Sequence, residues 1–106
     1  MVRVKIYWDT PEIQIEGHAN TAPKGQDLVC CAVSMMIETL SLYMENMMKE
    51  GRLLDLKSDR ESGRVYLCPQ PVPWAVDELY IAIKMAATGF RALAEQYSEY
   101  VTFEEE

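Results

Sequence analysis

The stretch Val2-Arg3-Val4-Lys5-Ile6-Tyr7-Trp8-Asp9-Thr10-Pro11-Glu12-Ile13-Gln14-Ile15-Glu16-Gly17 decides the fold. From Val2 to Trp8, Val2, Val4 and Ile6 fall on one side of an extended chain, the period of a half-buried strand. Asp9-Thr10-Pro11-Glu12 is a turn by composition, and Ile13 and Ile15 resume the alternation up to Gly17. Two strands so close in sequence predict a hairpin with one apolar face, and that face needs a second layer to cover it.

The remainder of the chain supplies the cover. His18 to Gln26 holds Asn20, Thr21, Pro23, Lys24 and Gly25 and reads as a loop. Asp27 is an N-cap candidate whose carboxylate can accept the Cys30 amide. The helix it opens is expected from Leu28 to about Lys49, closed by Gly51. Its apolar stripe is Val29, Val33, Met36, Leu40, Tyr43, Met44 and Met47, with Glu38, Glu45 and Lys49 opposite. Arg52 to Leu56 and Arg64 to Cys68 read as two further strands joined by a polar Ser58 to Gly63 loop. Pro69, Pro71 and Pro73 are expected to stop the second of them. A second helix follows from Trp74 to Tyr97, with Val76, Leu79, Ile83, Ala86, Ala87, Phe90, Leu93, Ala94 and Tyr97 at helical spacing. Gly89 in mid-helix costs about 1 kcal/mol against alanine, which points to close packing there. Val101 and Phe103 suggest a last strand, and Glu104-Glu105-Glu106 a solvated acidic tail. The order ββαββαβ makes an α+β domain over residues 1–106, two long helices on a mostly antiparallel sheet.

The 106 residues, 49% hydrophobic and 25% charged, suffice for a real core. Formal charge is −7, which argues against a nucleic-acid partner, since phosphate binding needs a basic face. A basic partner suits it better. No uninterrupted apolar run reaches the roughly 20 residues of a membrane span, and the N-terminus lacks the pattern of a signal peptide. Three cysteines, Cys30, Cys31 and Cys68, make no disulfide framework, so a reducing cytoplasm is the expected compartment.

Chemistry concentrates at the start of the first helix. The one histidine, His18, opens the loop that leads to Cys30. The macrodipole of a helix N-terminus stabilises a thiolate, and a nearby imidazolium adds to this. The first-turn amides, those of Cys30 and Cys31 among them, are oxyanion-hole candidates. At about 100° per residue, Cys30 falls on the shoulder of the apolar stripe with Ser34 and Ser41, while Cys31 lies nearly opposite the stripe. Cys30 is therefore the better nucleophile. Structural readings stand beside this one: buried cysteines are often inert packing residues, Asp27 caps a helix whatever else it does, and Ser34 reads equally as an exposed helix serine. Cys68, at a strand end, reads as inert. His18, Cys30, Cys31 and Cys68 lack zinc-ligand spacing, and no metal or cofactor is expected. A second apolar patch, Cys31, Met35 and Leu42, suggests a homodimer contact.

Gly17-His18-Ala19, Gly25-x-Asp27-Leu28-Val29-Cys30 and Ala32-Val33-Ser34 together resemble the ribosomal-processing cysteine protease family, Prp. The histidine-to-cysteine and cysteine-to-serine separations fit its signature as well. The resemblance implies a homodimeric endopeptidase that removes the N-terminal extension of a bacterial large-subunit ribosomal protein. It implies His18 and Cys30 as the catalytic pair, Asp27 and Ser34 in support, and Asn20, Thr21, Ala22, Pro23, Lys24, Gly25 and Gln26 as a cover over the substrate groove. This chain departs from the family at Cys31, where a small residue is usual, and in the proline-rich Cys68 to Pro73. Two other classes fit the same residues: a non-catalytic relative that holds a ribosomal-protein tail, and a thiol enzyme transferring acyl groups from a small substrate.

Overall fold

The computed structural model describes residues 1–17 and 28–106. Strands β1 (Val2–Tyr7) and β2 (Glu12–Glu16) form the expected hairpin, followed by α1 (Leu28–Lys49), β3 (Leu53–Glu61), β4 (Arg64–Pro71), α2 (Val76–Gln96) and β5 (Val101–Glu105). The sheet order is β3-β4-β2-β1-β5. Every pairing is antiparallel except β1 with β5. The ββαββαβ α+β reading is therefore the observed fold.

One face of the sheet is apolar, and both helices pack on it. Val2, Val4, Ile6, Ile13, Ile15, Leu67 and Val101 are buried from the sheet side. Val33, Ile37, Leu40, Met44 and Met47 of α1 and Leu79, Ile83, Ala87 and Phe90 of α2 close over them. α1 lies against β3 and α2 against β5. The other face carries the alternate residues, with Lys5 opposite Gln14 and Gln14 opposite Tyr66.

Several boundaries differ from expectation, each for a local reason. The buried stripe of α1 turns toward Ile37 and Ser41, leaving Met36 half-buried and Tyr43 exposed. The Ser58 to Gly63 stretch is mostly strand: β3 runs to Glu61, opposite Arg64, and Ser62-Gly63 alone make the turn, with Gly63 at φ 78°. Pro69 and Pro71 do not stop β4. By Pro69 the strand has lost its β2 neighbour, and a strand with one open side tolerates proline. Pro73 instead starts a 3-10 turn, Pro73–Ala75, which leaves Trp74 exposed and delays α2 to Val76. At the far end α2 stops at Gln96, and Tyr97 is exposed.

The acidic end is not a loose tail. Glu104 and Glu105 belong to β5, opposite Lys5 and Ile6, and Glu106 N–H donates to the Ile6 carbonyl at 2.9 Å. Glu105 accepts the Trp8 indole N–H at 2.9 Å and pairs with Arg91 at 2.8 Å. α1 is long and apolar enough by composition to cross a membrane, although no single apolar run in the sequence is. Here its apolar stripe is spent on the sheet.

Gly89 is the tight spot that its place in the helix suggested. A Cβ there would lie 2.4 Å from Cε of Met36 on α1. Phe90 beside it is fully buried in the common core. Phe90→Ala is expected to lower unfolding stability by about 3–5 kcal/mol, measured by urea denaturation. Gly89→Ala is expected to stay within about 1 kcal/mol of wild type, because the helix-propensity gain offsets the shift of a flexible methionine.

Candidate active site

The first turn of α1 meets the sheet at the open end of the β1–β2 hairpin. Val29 is buried under the helix, which leaves Cys30 half-buried on its flank. A cleft of about 360 Å³ opens beside it. α1 contributes Cys30, Val33, Ser34 and Ile37 to this cleft, the sheet contributes Val2, Ile15, Gly17 and Val65, and the β3–β4 turn contributes Arg60 to Arg64. The floor is apolar and the rim is polar. Such a recess can hold an extended peptide while a thiol on its wall stays within reach.

The backbone around Gly17 is held from two sides. Its N–H donates to the Gly63 carbonyl at 2.8 Å, tying the end of β2 to the β3–β4 turn. Its φ of +96° lies in the left-handed region, and a Cβ on it would sit 2.1 Å from the Met1 carbonyl oxygen. Only glycine fits there without moving backbone. Gly17 directly precedes His18 in the chain, so the direction in which the chain leaves β2 is set at this residue.

His18, Asp27 and the loop Asn20, Thr21, Ala22, Pro23, Lys24, Gly25, Gln26 lie outside the described residues. Of the other residues singled out from sequence, Cys30 and Ser34 are brought to one cleft, one turn apart on α1, although Ser34 is exposed overall. Cys31 is exposed and does not line the cleft. Cys68 is far from it: its neighbours Leu67 and Pro69 are buried on the helix side, so Cys68 faces the opposite side of the sheet. Among the described residues no three His, Cys, Asp or Glu side chains gather as a metal site.

Sequence reasoning missed the β3–β4 turn as a wall of the cleft. Its polar residues read locally as a connecting loop, whereas the register of β4 on β2 sets Val65 beside Ile15. The Ser62-Gly63 pair between two extended runs was the available signal. Across this wall the Arg60 guanidinium pairs with Glu38 of α1 and holds its carboxyl below the ordinary value of 4.5, the hydrogen bond being the main cause. Gly17→Ala is expected to destabilise the fold by more than about 1 kcal/mol, since both φ and space are wrong for a side chain. Thermal unfolding would show it.

Comparison with known proteins gives the family and the fold. The model of the family described as cysteine protease Prp matches residues 1–102. Among solved structures, the essential ribosomal processing protease Prp of S. aureus with a covalently linked product peptide is similar at TM-score 0.79 and 18% identity, with 100% of both chains covered. The same protease with a substrate peptide gives TM-score 0.72 at 16% identity, again over 100% of both chains. SMU.848 from Streptococcus mutans gives 0.62 at 22% identity, covering 98% of this chain and 90% of that one. No curated protein matches the chain. With the family model matched over nearly its whole length, the chain belongs to the cysteine protease Prp family.

Proposed function

We propose that this protease removes the N-terminal extension of a bacterial large-subunit ribosomal protein, with Cys30 as nucleophile and His18 as its acid–base partner. The observation that carries the reading is the position of Cys30, half-buried on the first turn of α1 and facing a peptide-sized cleft whose opposite side holds Gly17, the residue before His18. The S. aureus protease is seen with a substrate peptide and with a covalently linked product peptide, which supports a peptide as occupant. A formal charge of −7 favours a basic partner such as a ribosomal protein.

In this mechanism the Cys30 thiolate attacks the scissile carbonyl, and first-turn amides, with those of Cys30 and Cys31 as candidates, hold the oxyanion. The His18 imidazolium protonates the leaving amine as the C–N bond breaks, which leaves a thioester on Cys30. Neutral His18 then takes a proton from water as it attacks the thioester, which releases the cleaved extension as its acid and restores the Cys30 thiolate and the His18 imidazolium. The same proposal gives Asp27 and Ser34 supporting roles beside the pair and assigns residues 20–26 to substrate binding. The proposal places the protease in the cytoplasm, where reducing conditions keep its three cysteines as thiols.

The same reading includes a homodimer, although of the Cys31, Met35 and Leu42 patch first assigned to it only Met35 lines the groove proposed for the contact. α1 and α2 leave between them, on the side away from the sheet, an apolar groove of about 870 Å³ lined by Met35, Met36, Tyr43, Ile81, Met85 and Gly89. Ile81 and Met85 stand 62% and 75% exposed at its edge. An apolar groove with protruding apolar side chains at its edge supports a two-fold contact, in which those side chains enter the groove of the other copy.

Incubation with the extended ribosomal protein, read by mass, tests the cleavage. Wild type is expected to give one truncated product, Cys30→Ala to lose at least about a thousandfold in rate with its circular dichroism unchanged, and Cys31→Ala to keep most activity. Binding without any cut by wild type would instead favour the non-catalytic relative. For the dimer, Ile81→Glu with Met85→Glu is expected to halve the mass seen by light scattering, and a wild-type monomer would refute this contact.

A further inference from the structure

We infer that the tip of the β3–β4 hairpin is a moveable wall of the substrate cleft and that the Arg60–Glu38 ion pair is the latch fixing its distance from α1. This rests on the protease reading above and adds to it a pair of residues that position the substrate.

The tip has few other anchors. β4 pairs with β2 only between Leu67 and Arg64, so the turn beyond Arg64 has no β2 partner in the ladder. β3 is the edge of the sheet, and residues 57–61 along it are exposed. What holds the turn is the Gly17 N–H bond to the Gly63 carbonyl on one side and Arg60 on the other. Arg60 stands opposite Val65, a residue of the cleft floor, and so shares its helix-facing side of the sheet. Its guanidinium reaches across to donate to the Glu38 carboxylate. The neighbouring cation, Arg64, bonds within the hairpin, to Asp59 at 3.1 Å and Glu61 at 3.4 Å. Among the described residues, Arg60–Glu38 is thus the one ion pair between this hairpin and α1.

Its location matters for the cleft. Glu38 follows Ile37 and lies one turn beyond Ser34, so the pair ties the hairpin to the helix at the end of the recess away from Cys30. The two side chains are 42% and 41% exposed, so water and salt weaken the pair. A contact of that strength holds the hairpin at a set distance from α1 while a peptide lies in the cleft, and its loss lets the tip swing outward.

The test uses a Cys31→Ser, Cys68→Ser background so that Cys30 is the sole thiol. Arg60→Gln and Glu38→Gln are each expected to raise KM for the extension peptide about two- to fivefold at low salt, with kcat unchanged. They are also expected to raise the rate of Cys30 labelling by fluorescein maleimide relative to small iodoacetamide. The exchanged pair, Arg60→Glu with Glu38→Arg, should return both values toward wild type. Unchanged KM and labelling ratio in both single variants would overturn the latch. A KM increase that the exchange does not reverse would overturn it too, since Arg60 would then contact the peptide directly. Labelling needs no turnover, so a protein that cut no extension would defeat the protease reading while the latch was still judged on the reagent ratio.

Discussion

The register of β4 on β2 is the constraint on which the rest of this molecule depends. Ile15 pairs with Val65 and Ile13 with Leu67, which puts all four on the face that the helices cover. A slip of one residue would turn Val65 and Leu67 to solvent and bring Arg64 and Tyr66 into the core, at a cost no surface contact could offset. The same register carries β3 and its turn to the open end of the β1–β2 hairpin. There Gly63 meets Gly17, and Arg60 meets Glu38. The cleft beside Cys30 is therefore a by-product of how the sheet buries its apolar side.

A second tie fixes the helices relative to one another. Arg52, just after α1, bonds Glu78 of α2, and the Tyr43 hydroxyl donates to the same carboxylate at 2.5 Å. The Arg52 guanidinium holds the Glu78 carboxyl below its ordinary value, with the Tyr43 hydrogen bond second in effect. Because the folded value is the depressed one, the stabilisation is present above the unfolded carboxyl value near 4.5 and is lost as pH falls through the folded one. The group is partly open to water, so the contact positions the helix pair more than it strengthens it.

Much of this was legible in the residues themselves. The alternation of Val2, Val4, Ile6, Ile13 and Ile15 marks a hairpin with one buried face, and the spacing of Leu79, Ile83, Ala87 and Phe90 marks the buried line of α2. Gly51, at φ 75°, ends α1 where a helix-closing glycine was expected. What local pattern could not supply was the identity of neighbours distant in sequence. The polar run from Ser58 to Gly63 looks like a loop until β4 is known to pair beside it, because an edge strand need not alternate. Glu104 to Glu106 look like a tail until β1 is known to have an open edge. Cys30, by contrast, could be picked out early, because a helix start and its flank are local properties. The wall facing it comes from residues about 30 positions later, and no local signal connects the two.

The parallel pairing of β1 with β5 has a consequence for how the protein comes to exist. Val2, part of the cleft floor, is hydrogen-bonded through its N–H to the Tyr100 carbonyl and stands beside Val101. The first strand therefore lacks one neighbour until Val101–Glu105 have left the ribosome. Closing a loop of nearly the whole chain is entropically slow compared with forming the two helices or the first hairpin. A nascent chain can thus hold α1 and the β1–β2 hairpin without a finished recess beside Cys30. The recess beside Cys30 takes its final form only when the last strand of the sheet docks beside the first.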